Sequence, residues 1–272
     1  TDGPARLLSA SESMATLYEA EGRSEEVVAY LENLLTRQGV PDAVIARILS
    51  LLAEREFAAT GDLTSARQRF EGALEANPDE LSALTGLARL LASAGKHEEA
   101  LPFAERAMEL LPEESDAELK VDGLLVFSDV VGRLGKHGEA YRKLTAALRE
   151  QPDDPRLRLG IAQNRMDASR YKDVVASAEQ LRQWLETHDR EELPAQDRRT
   201  CARTLALAAR AERELGREEP AMIFVQAALE LDPRAESALE QMLEMASQKD
   251  RFHDAFAAAD TLRELATDVE TS

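Results

Sequence analysis

The residues able to do chemistry are few and scattered. Four histidines, His97, His137, His188 and His253, could in principle bind a metal or move protons. His97 and His137 each follow a Gly-Lys turn, at the place that Tyr171 and Phe252 hold elsewhere in the chain, so packed turn residues are expected there rather than ligands. His188, within Trp184-Leu185-Glu186-Thr187-His188-Asp189, reads as a solvated helix end, and His253 is similar. A thiolate nucleophile would have to be Cys201, whose neighbours Arg198, Arg199 and Arg203 would lower its pKa if it were exposed. No histidine stands beside it to serve as a base, and an inert small residue is the expectation. A single cysteine also excludes an internal disulfide and any multi-cysteine metal site. The run Gly132-Arg133-Leu134-Gly135-Lys136-His137 has the glycines and lysine of a phosphate loop, but neither the GxxxxGK[ST] spacing nor a preceding strand. Acidic pairs at Glu25-Glu26, Glu98-Glu99, Glu113-Glu114 and Glu218-Glu219 sit around turns and helix starts, where negative charge suits the helix dipole. General acid–base catalysis would need an apolar pocket and a distinct partner for such a pair, and neither is legible. The chain reads as a non-enzyme with no cofactor and no metal.

The elements around these residues must therefore supply the function. The chain has 272 residues, of which 44% are apolar and 31% charged, enough to bury a core and stay hydrated. Its formal net charge of −19 argues against nucleic acid or an anionic lipid surface as the main partner. No stretch approaches the roughly 18 continuous apolar residues of a membrane span, so no membrane insertion is expected. The opening Thr1-Asp2-Gly3-Pro4 has no basic or apolar leader character, and a cytoplasmic location is expected, with a periplasmic or tethered position as part of a longer chain left open. Six lysines against 27 arginines suggest a GC-rich, bacterial coding sequence.

Internal repetition is the main signal. Gly61-Asp62-Leu63-Thr64-Ser65-Ala66 and Gly95-Lys96-His97-Glu98-Glu99-Ala100 are alike and lie 34 residues apart. Phe70, Ala73 and Pro78 follow the first, and Ala104, Ala107 and Pro112 the second. The cadence returns as Gly135, Ala140, Leu144, Ala147, Pro152 and as Gly216, Ala221, Val225, Ala228, Pro233. Each glycine permits the positive φ that ends a helix. Each alanine lets two helices approach, and each proline stops the second helix. Leu84, Leu87, Ala88 and Leu91 form one apolar stripe, which a lone hairpin cannot bury, so neighbours must stack. Extended alternating runs are absent.

On these anchors the sequence resembles the tetratricopeptide repeat family, whose unit is a 34-residue helix-turn-helix. Seven units align, at 8–41, 47–80, 81–114, 121–154, 155–188, 202–235 and 236–269. The first, fifth and seventh lack the proline, and the fifth has Ser169 in place of the turn glycine. The resemblance implies an all-α, right-handed α-solenoid over 1–272 as a single domain. The insert 189–201, with Pro194, is expected to lengthen its flanking helices around a solvated elbow; a hinge dividing five repeats from two is the alternative.

The resemblance further implies that the first helix of each unit lines an inner groove, through places 2, 5, 6, 9, 12 and 13, and that this groove binds a segment of another protein. Place 9 holds Thr16, Arg55, Arg89, Asp129, Gln163, Arg210 and Glu244. Arg203 and Arg213 join Arg210, Arg156 adds a further cation, and Asp122 lies with Asp129 between the basic zones. Leu51, Leu52, Leu125, Val126, Leu159 and Leu207 accompany them as apolar groove residues. The expected partner is a protein or peptide with acidic residues flanking aliphatic anchors. The alternative is that these arginines only pair with glutamates of the repeats themselves. The two-carboxylate clamp that some members use on chaperone tails is not matched, since its places hold Leu51, Arg55, Gly86, Asp122 and Val126. After the last unit only Glu270-Thr271-Ser272 remain, so Phe256, Leu262 and Leu265 are expected to be partly exposed, inviting self-association through the C-terminal repeat. An interaction scaffold is the leading reading, with a self-assembling scaffold or the regulatory arm of a multidomain enzyme as alternatives.

Overall fold

A computed structural model of the chain describes residue 13 and residues 24–111, 117–248 and 257–265. Among these residues all regular structure is helical. The chain divides into two compact units, residues 1–130 and 131–272.

In the first unit, α1 (Ser24–Leu35), α2 (Asp42–Thr60), α3 (Leu63–Ala76), α4 (Leu81–Ser93) and α5 (His97–Leu110) lead to α6 (Ala117–Arg133), within which the division falls. Helix α2 packs on its hairpin partner α3 and on α4, the first helix of the next repeat. Ala66, Ala100, Ala104 and Ala107, which the repeat places at helix crossings, are at most 1% exposed. Leu84, Leu87, Ala88 and Leu91 form the buried stripe of α4, and each buried leucine contributes about 1.5–3 kcal/mol of transfer free energy.

The second unit holds α7 (His137–Glu150), α8 (Pro155–Asp167), α9 (Tyr171–Thr187), α10 (Ala195–Glu214), α11 (Glu218–Leu231) and α12 (Glu236–Gln248), with further helix over 257–265. Helix α8 packs on α7, α9 and α10, and α10 packs on α9, α11 and α12. The thirteen-residue insert thus contributes extra helix to α10 and a short connection ahead of Pro194, whose exposed part runs over 188–192. Packing of α10 on α8 and α9 continues the stack past that connection.

Local chemistry sets the ends of these helices. Asp62 caps α3 by accepting from the backbone N–H groups of Thr64 (2.9 Å) and Ser65 (3.4 Å). Asp154 caps α8 by accepting from Arg156 N–H at 2.8 Å, with Pro155 in the first turn, where its missing donor costs nothing. Gly61, Gly95, Gly135 and Gly216 end their helices at φ between 67° and 80°, as the repeat demands. Ser169 takes the same left-handed place at φ 55°, the single non-glycine residue with positive φ among those described.

Candidate functional site

Residues at the groove places are carried by α2, α4 and α6 in the first unit and by α8, α10 and α12 in the second. On α10, Arg199, Arg203 and Arg210 are exposed along one stripe. Successive steps of four and seven residues put them about 6 and 10 Å apart along the axis. None of the three has an ion-pair partner among the described residues. Facing them, α12 presents Ser237, Glu240, Gln241 and Glu244. Buried Gln241 ties the helices together, its Nε2 donating to Ala206 O and Ser237 O, each at 3.0 Å.

Two open cavities flank this pair of helices. One, of about 750 Å³, is lined by Arg210, Arg213, Glu240 and Glu244, with Glu218 and Glu219 from the following turn. The other, of about 590 Å³, is lined by Arg199, Arg203, Arg234, Asp232 and Leu265. Ser237 belongs to both walls. Carboxylates outnumber guanidiniums in the first cavity and arginines outnumber acids in the second, so the surface between α10 and α12 is electrically polar along its length. Arg213 is already committed, with its guanidinium 2.5 Å from Glu244 Oε1.

In the first unit the expected groove cations gather around one carboxylate. Glu54 is open to solvent yet crowded by surrounding protein, as a side chain on a concave wall would be. That crowding desolvates it and raises its pKa; Arg47, Arg89 and Arg55 oppose the rise, and Asp122 adds to it. Arg55 also donates from Nη1 to Leu51 O at 3.1 Å. Arg47 bonds to Ser82 Oγ and lies 3.9 Å from Glu80. Sequence reasoning omitted Glu54 and Arg47. Their position two turns apart on the groove helix α2 was available, but the approach of Arg89 to Glu54 follows only from the stacking of α2 and α4.

Other expected groove residues have other roles. Leu51 (8% exposed), Leu52 (1%) and Val126 (8%) are core residues, a correction to their placement in the groove: the apolar stripe of each first helix is wider than the face left over for a partner. Leu125, Leu159 and Leu207 are half-buried, and Asp129 is exposed. Arg156 is chelated by the Asp154 carboxylate at 2.8–3.2 Å, which holds it against its own helix start. Phe256 and Thr16 lie outside the described residues, while Leu262 and Leu265 are half-buried.

The chemical candidates are accounted for in the same way. Cys201 is fully buried, and that burial pushes its thiol up to about 11, with Asp197 adding and Arg158 opposing. Among the described residues no group of three or more His, Cys, Asp or Glu side chains could hold a metal ion. No described helix is long and apolar enough to cross a membrane.

A tetratricopeptide repeat model matches residues 55–115, and a second matches residues 202–235. The chain belongs to the tetratricopeptide repeat family. A tetratricopeptide repeat-containing protein of Pseudomonas aeruginosa is 31% identical over 155 residues, covering 57% of this chain. The chain spans about a quarter of that relative's length (24%). The crystal structure of PilW, a widely conserved type IV pilus biogenesis factor, is similar at a TM-score of 0.64 and 18% identity, over 85% of this chain and 96% of that one. A chain in the crystal structure of the APC/C hetero-tetramer Cut9-Hcn1 is similar at a TM-score of 0.61 and 15% identity, over 96% of this chain and 52% of that one. Likeness at such identities is a likeness of fold, here the all-α solenoid of stacked tetratricopeptide repeats.

Proposed function

We propose that this tetratricopeptide repeat chain is a protein-interaction scaffold, and that the α10–α12 channel of its second unit receives an extended segment of a partner protein bearing acidic residues beside aliphatic ones. The observation that carries the reading is the row of exposed, unpaired guanidiniums at Arg199, Arg203 and Arg210 in a chain of net charge −19. With acids in such excess, cations left without intramolecular partners on an open channel are poised for an external carboxylate. The roughly 10 Å between Arg203 and Arg210 equals about three residues of extended chain at about 3.3 Å each. A segment with acids three apart spans the two arginines, its intervening side chains facing half-buried Leu207. The Glu240 and Glu244 end of the channel then sets direction by repelling the acidic end of the segment.

The scaffold would act by recruitment, as an adaptor or as an arm of a larger bacterial protein, without transforming a substrate. Peptides selected from a random display library against the intact chain test this reading. Acids at spacing three are expected among the winners, and Arg203→Glu with Arg210→Glu is expected to weaken their binding about tenfold or more, since two exposed pairs at up to about 1 kcal/mol each are lost and replaced by repulsion. Selected peptides that bind the reversed variant equally well would refute the channel as the binding surface.

A further inference from the structure

The fourth place of the repeat is a core place in this chain. In four repeats it holds Leu84, Leu124, Leu205 and Leu239, which are 1–6% exposed, and in the repeat at 47–80 the small, fully buried Ser50. The repeat at 155–188 puts Arg158 there. The eleventh place holds Phe57, Leu91, Val131 and Ala246 in other repeats, and Arg165 in this one. The next repeat has Glu212 at that place, answered by Arg217 at 3.5 Å just past its turn. Two guanidiniums thus occupy places where the fold asks for hydrocarbon, and burying them costs stability unless something compensates.

Compensation is partial. Arg165, 8% exposed, stacks its guanidinium 3.4 Å from the Tyr141 ring centre and lies 3.5 Å from Asp173 Oδ2. Arg170 approaches the same carboxylate oxygen at 2.5 Å. Arg158 donates from Nη2 to Pro152 O at 2.8 Å and lies 5.7 Å from the Trp184 ring centre. Its Nε is buried without a hydrogen-bond partner, and no carboxylate lies within 4 Å of it among the described residues. Desolvation lowers the Arg158 pKa, and hydrogen bonding from Arg165 lowers that of the Tyr141 phenol, so Arg158 is partly stripped of water and the phenol lies beside a cation. These side chains wall a cavity of about 250 Å³ between α7, α8 and α9, with room for roughly eight waters at about 30 Å³ each. Three arginines line it against one aspartate, with Asp153 acting on Arg158 from outside that lining.

We propose that this cavity is an oxyanion-binding site, taking one phosphate or carboxylate group between Arg158, Arg165 and Arg170. It uses places of the repeat that the peptide channel does not, so it stands or falls independently of the scaffold reading. The anion would accept a charge-assisted bond from the outer nitrogens of Arg158, while Arg165, pinned on Tyr141, presents a pre-oriented second fork.

Arginine Nε resonances of the ¹⁵N-labelled chain, titrated with inorganic phosphate and separately with acetate against chloride at matched ionic strength, test the site. A saturable shift of the Arg158 resonance, assigned from its loss in Arg158→Leu, is expected for at least one of the two anions. Saturation by phosphate alone identifies a phosphoryl ligand, by acetate alone a carboxylate, and by both a general oxyanion site. Arg158→Leu restores the residue of the sister repeats and should keep the helical circular dichroism, while weakening binding at the remaining arginines at least tenfold. Exposed Arg170→Leu should weaken it as well without touching the core. Shifts that stay linear and chloride-like for both anions, or undiminished binding in both variants, would overturn the proposal.

Discussion

Replacing Ser169 by glycine should stabilise the protein. Helix α8 ends in a Schellman turn in which Ser169 N–H donates to Met166 O at 2.9 Å and Arg170 N–H to Arg165 O at 2.8 Å. The sister turns make the same pair of bonds: Gly135 to Gly132 O and Lys136 to Val131 O, both 2.8 Å, and Gly216 to Arg213 O and Arg217 to Glu212 O, 2.8 and 2.9 Å. Their glycines stand at φ 80° and 74°, whereas Ser169 stands at 55° with a Cβ that crowds the following carbonyl. A left-handed residue other than glycine costs about 1–2 kcal/mol. Glycine returns about 0.5–1 kcal/mol of that through the freedom it adds to the unfolded chain. The exposed serine hydroxyl makes no hydrogen bond among the described residues, so nothing else is lost. Ser169→Gly is therefore expected to gain about 0.5–1 kcal/mol, or roughly 1–4 °C in Tm. The mirror change Gly135→Ser, made where glycine already satisfies the turn, should lose a similar amount. Urea unfolding followed by circular dichroism, with the m-value checked for constancy, measures both. A destabilised Ser169→Gly, or a Gly135→Ser that costs nothing, would refute the argument that the backbone region of this turn, and not its side chain, sets its energy.

Two further outcomes follow from packing. A Cβ added at Gly86 would fall well inside van der Waals contact with the ring of Phe70, itself only 2% exposed, so Gly86→Ala should cost about 1–3 kcal/mol in urea unfolding; an unchanged midpoint would mean that ring moves freely. Cys201 should resist iodoacetamide in the native state and react on unfolding. Because its folded pKa of about 11 lies above the unfolded value of about 8.5, folding is favoured while the thiol stays protonated, and the Cys201 contribution to stability is lost as pH rises from about 8.5 toward 11. Cys201→Ala should flatten that part of the stability profile, and rapid native alkylation at neutral pH would contradict its burial.

The elements of this fold were written in the sequence because each depends on neighbours a few residues away. Glycine at a helix end, alanine at a crossing and a period of 3.6 in the apolar residues act locally, and Gly95, Ala100 and the α4 leucines occupy the structure as their spacing requires. Even the odd residue Ser169 declared itself by standing where its sisters are glycine. The tertiary structure alone decided which arginines have partners. Arg55, Arg89 and Arg210 are equivalent by place, with Arg203 and Arg213 beside the last, yet stacking brings Arg89 to Glu54 and Arg213 to Glu244, while Arg203 and Arg210 are left open to the channel. Likewise Arg158 and Arg165 look like two ordinary charges in sequence until the packing of α7 and α9 on α8 sets them around one cavity. Helix formation is governed by short-range sterics and periodicity, whereas the balance between an ion pair and a vacant guanidinium turns on a few ångströms between distant segments, and only the packed chain fixes those.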